Sequence, residues 1–251
     1  MSTAARLTGN VLIIQEIAIM LNQKLNVPAL RHVFSENGAI SIQNFLTPEV
    51  ADALLVAVSQ LCWELEIKDY SQQNSFRVPV STDMRSWDIL NIIGKADFLL
   101  DRDRLFFVRY CVGNDNFNSD QLREFSDFLH SQQFLDLMID ITGNKQLDRV
   151  WVEATCYDKC CFLGGHRDDH HADNAIAFVL NLTRHWQLDW GGLLMLQRPN
   201  SHPLIVPPLW NTLSMFNVPV DHLVSCVSPA AKEKRYSLTG WLRRGTEAVA
   251  V

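Results

Sequence analysis

Short runs with β-strand character fill the chain from about residue 147 onward. Each run is rich in branched and aromatic residues, and Gly, Pro, Asn and Asp separate it from the next run. We predict strands at 149–157, 165–168, 175–182, 192–196, 203–206, 212–217, 222–227 and 235–242. Short strands at this spacing are typical of a double-sheet jelly roll or a barrel.

The part of the chain before residue 147 has mainly helical patterns. Residues 48–65 place apolar side chains on one face, and Thr47, Pro48 and Glu49 form a helix start signal. Further helices are predicted at 11–24, 119–130 and 134–141, and strands at 39–45 and 105–112. Residues 71–103 are mixed and polar, and we expect them to form a lid.

This order of patterns predicts the fold class and the domain organisation. Helices followed by strands indicate an α+β fold, in which N-terminal helices pack on one sheet of a double-stranded β-helix (jelly-roll) core. No linker separates two independent parts, so we expect one domain over residues 1–251. Residues 1–146 would form its mainly helical part, and residues 147–244 would form the jelly-roll core.

The composition suits a large folded domain and excludes several partners. Of the 251 residues, 47% are hydrophobic and 20% are charged, which is enough for a sizeable core. A net charge of -6 without a basic tract argues against nucleic acid or an anionic membrane as partner. The apolar stretch at 11–21 is too short to span a membrane and lacks a signal-peptide cleavage site, so we expect a cytoplasmic protein. The composition leaves the oligomeric state open.

Two histidines and one aspartate in the strand-rich part form a candidate metal site. His166 and Asp168 are two residues apart, so on a strand their side chains would share one face. His222 begins a later predicted strand and could supply a third ligand. Two imidazoles and a carboxylate on one face of a metal are typical of non-haem Fe(II) oxygenases.

A rival pair with the same spacing, His171 and Asp173, lies close by, next to His170. The rival pair falls in the turn before the predicted strand 175–182, whereas His166 follows the apolar run 162–165. We therefore prefer His166 and Asp168 as ligands and expect the rival pair on a solvated loop. A contact between that loop and the substrate stays open.

The last predicted strand carries a polar face. At strand periodicity Arg235, Ser237, Thr239 and Trp241 point to the same side. An Arg and a Ser that face inward are costly to bury unless they bind something, and a guanidinium group matches a carboxylate. Arg235 and Ser237 are therefore candidate carboxylate ligands. Tyr157, at the end of an earlier predicted strand, is either a further contact or a packed aromatic ring.

These residues resemble the prolyl 4-hydroxylase-like branch of the Fe(II)/2-oxoglutarate-dependent oxygenases. The run 37–49 looks like that family's first strand and helix. In two places the chain departs from the family pattern: Val179 stands where some members have a co-substrate tyrosine, and residues 230–234 lengthen the gap before Arg235. The similar segments are, in order, Tyr157, His166-x-Asp168, 177–181, 191–194, His222-x-Val224 and Arg235-x-Ser237-x-x-Gly240-Trp241.

The resemblance implies a metal, a co-substrate and a reaction. Fe(II) would be bound by the two histidines and Asp168, and 2-oxoglutarate would be held by Arg235, with Tyr157 and Ser237 as further contacts. O2 would be the oxidant, and ascorbate is an additional candidate cofactor. The implied reaction hydroxylates a prolyl residue, in a peptide or protein, or a related amino-acid-like substrate, with release of succinate and CO2. Two alternatives stay open: the same chemistry on a free small molecule, and a metal- or ligand-binding sensor barrel without turnover.

Overall fold

The computed structural model describes residues 20–69, 75–80, 91, 105–169, 171–198 and 202–245. Within these ranges the helices are α1 (Val27–Asn37), α2 (Pro48–Ser59), α3 (Asp120–Leu129) and α4 (Gln132–Thr142). The strands are β1 (Ala39–Gln43), β2 (Glu64–Asp69), β3 (Ser75–Pro79), β4 (Leu105–Gly113), β5 (Leu147–Tyr157), β6 (Phe162–His166), β7 (Asn174–Asn181), β8 (Leu194–Leu196), β9 (Leu204–Val206), β10 (Thr212–Asn217), β11 (His222–Val224) and β12 (Arg235–Arg244).

The strands form one antiparallel sheet that folds back on itself as a jelly roll. Its order is β1-β10-β7-β12-β5-β4-β6-β11-β8-β9, and β2 extends it by pairing with β3 and β4. Side chains from β7 and β12 line one cavity together with side chains from β8 and β11, so the two halves of the sheet face each other. The α+β jelly-roll prediction is confirmed.

Alternation along β12 and β5 separates the core from the cavity. On β12, Leu238 and Leu242 are buried in the same apolar cluster as Val152 and Ala154 of β5. The helices contribute to this cluster through their own buried residues, so they pack on the outer face of the sheet. The residues that alternate with these point the other way, and Arg235 and Thr239 line the cavity.

The predicted strands of the jelly-roll core all have counterparts, from β5 to β12, and β10 has the predicted bounds. The strands predicted at 39–45 and 105–112 correspond to β1 and β4. Two further strands, β2 and β3, lie in the N-terminal part. β2 pairs with β3 and with β4, so this part adds to the sheet as well as covering it.

One helix prediction needs correction, and another falls mostly on residues that the structure does not describe. The helix predicted at 48–65 ends at Ser59, and Glu64 already belongs to β2. The helix predicted at 11–24 lies mostly outside the described residues, and Leu21 forms a bridge with Leu46 instead. Most of the predicted lid at 71–103 also lies outside them, apart from β3 and residues 80 and 91. No helix in the described ranges has the length and hydrophobicity needed to cross a membrane.

Candidate metal centre and co-substrate pocket

The candidate metal ligands meet where β6 ends and β11 begins. His166 and His222 are direct partners across this antiparallel strand pair. Nε2 of His166 lies 3.2 Å from Oδ1 of Asp168, and Nε2 of His222 lies 3.4 Å from Oδ2. The ligand atoms of all three residues lie within 4.8 Å of one another, so a single ion can contact all of them.

The backbone fixes the tautomer of both histidines. Nδ1 of His166 lies 2.9 Å from the carbonyl oxygen of Gly164, and Nδ1 of His222 lies 2.8 Å from that of Val220. Because a carbonyl only accepts, each Nδ1 carries a proton and donates it. A ring that carries only this proton presents an Nε2 lone pair to the Asp168 carboxylate. Two lone pairs and a carboxylate repel one another unless a cation lies between them, so these residues fit a divalent metal ion.

Asp168 is held by contacts that its sequence position did not predict. The prediction that it shares a strand with His166 is wrong, because β6 ends at His166 and Asp168 lies in a turn with φ of 59°. Asn174 Nδ2 donates to its carbonyl oxygen at 3.0 Å, and Trp241 Nε1 donates to its Oδ2 at 2.8 Å. Burial would raise the pKa of Asp168, but hydrogen bonds from His166 and His222, when protonated, hold that pKa far below its usual range.

Arg235 is a buried cation with unused donors. Its exposure is only 2%, and Nε and Nη1 have no hydrogen-bond partner within the described part of the chain. Nη2 makes one long contact, 3.4 Å, to Oδ1 of Asn181, and the guanidinium carbon lies 5.1 Å from the centre of the Tyr157 ring. Burial lowers the pKa of Arg235 and raises that of Tyr157. Two unpaired buried donors on a cation fit a carboxylate ligand.

The other residues of the predicted polar face divide into two groups. Thr239 and Trp241 line the cavity, as does Val179 across from them on β7. The Ser237 side chain is fully buried, and its hydroxyl lies 3.0 Å from that of Thr155 on β5. A direct contact between Ser237 and the co-substrate stays a prediction.

Sequence reasoning missed a buried charged cluster beside this cavity. Arg109 of β4 lines the cavity and donates from Nη1 to Oε1 of Glu153 at 2.6 Å and from Nη2 to Oε2 of Glu66 at 3.4 Å. Burial would lower the pKa of Arg109, but the carboxylate charge of Glu153 raises it above its usual range. Burial would also raise the pKa of Glu66, and Arg109 and Arg77 together lower it. The available signal was a charged residue in the middle of two predicted strands, Arg109 in 105–112 and Glu153 in 149–157, whereas Glu66 lay outside every predicted strand.

The rival His-x-Asp pair is in a turn, as predicted. His171 and Asp173 precede β7, and Asp173 forms an ion pair with Arg149 at 3.0 Å. His170 lies outside the described residues. The rival carboxylate is therefore paired with a cation at the surface.

Comparison with known proteins gives a family match for the C-terminal part of the chain. Residues 152–243, from β5 to β12, match the family model described as the 2OG-Fe(II) oxygenase superfamily. No curated protein matches the chain.

Several solved structures share the fold. A prolyl-4-hydroxylase of Pseudomonas putida has a TM-score of 0.58 at 17% identity, over 88% of this chain and 100% of that one. A Burkholderia pseudomallei oxidoreductase of the 2OG-Fe(II) oxygenase family has a TM-score of 0.60 at 15% identity, over 90% and 94%. A Trichoplax adhaerens prolyl hydroxylase, solved with a peptide fragment of the hypoxia inducible factor oxygen degradation domain, has a TM-score of 0.60 at 15% identity, over 87% and 89%.

The family match covers the strands that carry the candidate ligands, and the similar structures extend the shared fold over most of the chain. The resemblance drawn from the sequence is confirmed, and with it the requirement for Fe(II), 2-oxoglutarate and O2. Residues 152–243 therefore carry the match to the 2OG-Fe(II) oxygenase superfamily, and this match supports an Fe(II)- and 2-oxoglutarate-dependent dioxygenase.

Proposed function

We propose that the protein hydroxylates a prolyl residue or a related amino-acid-like substrate, with Fe(II) held by His166, Asp168 and His222. Arg235 would bind the distal carboxylate of 2-oxoglutarate, with Tyr157 packed against its guanidinium group. Ascorbate as reductant, a cytoplasmic location and a single domain over residues 1–251 belong to the same proposal. The proposed substrate is supported by the fold that the chain shares with two prolyl hydroxylases, one of them solved with a peptide.

One observation carries the proposal: the convergent ligands and the unpaired cation share a cavity. Asp168, His222 and Arg235 all line it, and it has a volume of about 70 Å³. A dicarboxylic keto acid can place its keto-acid end on a metal at one wall and its distal carboxylate on Arg235. A buried cation with two unused donors costs stability in a protein that binds no anion there.

Each residue then has a definable part in the reaction. The two histidines are oriented by backbone carbonyls, and Trp241 fixes one carboxylate oxygen of Asp168, so the ligands are in place before the metal arrives. When bound, Fe(II) and 2-oxoglutarate would supply the oxidative chemistry, in which one oxygen atom of O2 would go to succinate, with loss of CO2, and the other to a substrate C–H bond. The apolar wall around Arg235 excludes water and strengthens its hold on the co-substrate.

The test measures succinate formed from 2-oxoglutarate by the full chain with Fe(II), ascorbate and O2, without a prime substrate. We expect slow but measurable turnover in the wild type and a loss of at least about 100-fold in His166→Ala and Asp168→Ala, because each removes a metal ligand. His171→Ala, which changes the rival pair, should keep wild-type turnover. Wild-type rates in both ligand variants would overturn the metal assignment.

The same assay separates an enzyme from a sensor. A sensor barrel would bind 2-oxoglutarate with a metal but would form no succinate. We therefore expect binding and turnover to be lost together in Asp168→Ala. Binding without any turnover in the wild type would favour the sensor.

A further inference from the structure

A second, larger cleft lies directly beside the candidate metal cavity. Its volume is about 700 Å³, and side chains from β2, β3, β4 and β5 line it. Arg109 lines the smaller cavity, and Glu153, to which it is bonded at 2.6 Å, lines the cleft. This ion pair is therefore the partition between the two spaces. The metal side has room for only a small molecule, whereas the cleft can hold the bulk of a substrate.

The cleft also approaches the metal ligands along a pair of tryptophans. Trp151 lines the cleft, and its ring centre lies 4.9 Å from that of Trp241. Trp241 in turn donates to Asp168. A group bound against Trp151 is thus one side chain away from the residue that holds the metal ligand.

Among the residues that the structure describes, carboxylates outnumber guanidinium groups around the partition. Three carboxylates, those of Glu64, Glu66 and Glu153, face two guanidinium groups, those of Arg77 and Arg109. Glu66 binds both arginines: its Oε1 accepts from Arg77 at 2.6 Å, and its Oε2 accepts from Arg109 at 3.4 Å. Glu64 and Arg77 are half-exposed, whereas Glu66, Arg109 and Glu153 are largely shielded from water.

The carboxylate of Glu153 lies at the border of the cleft. Its Oε1 accepts from Arg109, while Oε2 has no hydrogen-bond partner anywhere in the described ranges. The residue is only 6% exposed but lines the cleft, so a group bound in the cleft can reach it. A carboxylate in that state favours a charged donor. The rings of Trp63 and Trp151 line the same cleft, and an indole face attracts a cation.

We propose that this cleft binds a positively charged group of the substrate, an ammonium or a guanidinium, and that Glu153 accepts its hydrogen bond beside Trp151. The inference rests on the proposed function, which it deepens by naming a substrate class: a basic amino-acid derivative, or a peptide with a basic residue near the one that is hydroxylated. Glu153 is then a specificity-determining residue, and Arg109 holds it at the border of the metal cavity.

The first test compares isosteric ligands that differ in charge. Nα-acetyl-L-argininamide is titrated into the 15N-labelled full chain against Nα-acetyl-L-citrullinamide, its neutral isostere, and the indole N–H signals of Trp63 and Trp151 are followed by NMR. We expect the charged ligand to bind at least about tenfold more tightly, because it completes a charge-assisted hydrogen bond. Nα-acetyl-L-lysinamide should resemble the arginine ligand. Equal affinities for the charged and neutral ligands would overturn the proposal.

The second test removes the charge from the protein. Glu153→Gln keeps the shape and should bring the preference for argininamide over citrullinamide close to one, while Glu124→Gln, at an exposed site on α3, should keep it. If Glu153→Gln does not fold, Glu64→Gln decides, because this side chain is half-exposed at the cleft and adds to the same field. A wild-type preference in every folded cleft variant would show that the cation binds elsewhere.

This binding assay needs neither iron nor 2-oxoglutarate, so its failure is distinct from failure of the proposed function. Succinate formation together with equal affinity for the two ligands would refute the cation site and leave the dioxygenase reaction intact. A preference for the charged ligand without any 2-oxoglutarate turnover would support the cation site and refute the dioxygenase reaction. Under the proposal, prolyl peptides with a neighbouring Lys or Arg should also stimulate succinate formation more than their Glu counterparts.

Discussion

Replacement of Arg235 by methionine tests the co-substrate pocket most sharply, because it should change binding and stability in opposite directions. Methionine fills much of the same volume but carries no charge and no donors. In the protein without ligand, the Arg235 guanidinium is buried, with two unpaired donors and one long contact of 3.4 Å to Asn181. Its removal therefore eliminates an unfavourable feature of the free protein as well as the proposed anchor of 2-oxoglutarate.

The magnitudes follow from those two donors. Each charge-assisted hydrogen bond contributes about 1.5–3 kcal/mol, so two contribute about 3–6 kcal/mol to co-substrate binding. Arg235→Met should therefore raise the Kd or KM for 2-oxoglutarate on the order of 10²- to 10⁴-fold. An unsatisfied buried donor costs about 1–3 kcal/mol, so we expect the free energy of unfolding without ligand to stay within about 1 kcal/mol of wild type or to rise.

The assay combines succinate formation with thermal unfolding. Under anaerobic conditions with Fe(II), 2-oxoglutarate at 100 times its Kd should stabilise the wild type by about 2.7 kcal/mol and should leave Arg235→Met unchanged. Arg243→Met is the matched control on the same strand, because Arg243 is bonded to Asn174 and does not line the cavity. An unchanged KM in Arg235→Met would refute the reasoning. An unchanged KM together with a loss of about 3–5 kcal/mol of stability would show that Arg235 is a structural ion instead.

Three further substitutions test the surroundings of the site. Trp241→Phe removes the 2.8 Å bond to Asp168 but keeps an aromatic ring beside Trp151, and it should weaken Co(II) or Fe(II) binding by about 10- to 100-fold in a spectroscopic titration. The pKa of Glu66 is lowered in the folded protein. The ionised Glu66 side chain therefore stabilises the protein above its ordinary pKa of 4.5, and this contribution is lost as the pH falls below that value. Glu66→Gln should make the loss of stability toward acid pH less steep, as measured by denaturant unfolding. Gly240→Ala would place a Cβ 1.8 Å from the carbonyl oxygen of Trp151 and should cost more than about 3 kcal/mol of stability.

Each of these variants has a contrasting outcome or control. Unchanged metal affinity in Trp241→Phe would mean that the Asp168 carboxylate keeps its orientation without the indole. An equally steep acid decline in Glu66→Gln would assign that decline to other carboxylates. Gly165→Ala is the control for Gly240→Ala, since a Cβ there meets nothing within 4 Å. Similar stabilities of the two alanine variants would contradict the predicted clash.

The sequence alone determined the strand-rich core and the candidate ligands. Alternation of side chains is a local property of extended backbone, so the inward face of β12 and the approach to His166 were readable from spacing. The same local reasoning failed where the backbone leaves the regular pattern. Asp168 adopts a φ of 59° in a turn, and the helix that begins at Pro48 ends six residues early, at Ser59 instead of Leu65.

The tertiary structure alone decided which side chains meet across strands. The bond from Trp241 to Asp168 and the pairing of Arg109 with Glu153 and Glu66 join segments far apart in the chain, and no periodicity encodes them. The register of β2, β4 and β5 brings Glu66, Arg109 and Glu153 to one wall, where their low exposure strengthens the ion pairs. Spacing therefore predicted the candidate ligand set, whereas strand register and burial created the cleft beside it and placed Glu153 at its border.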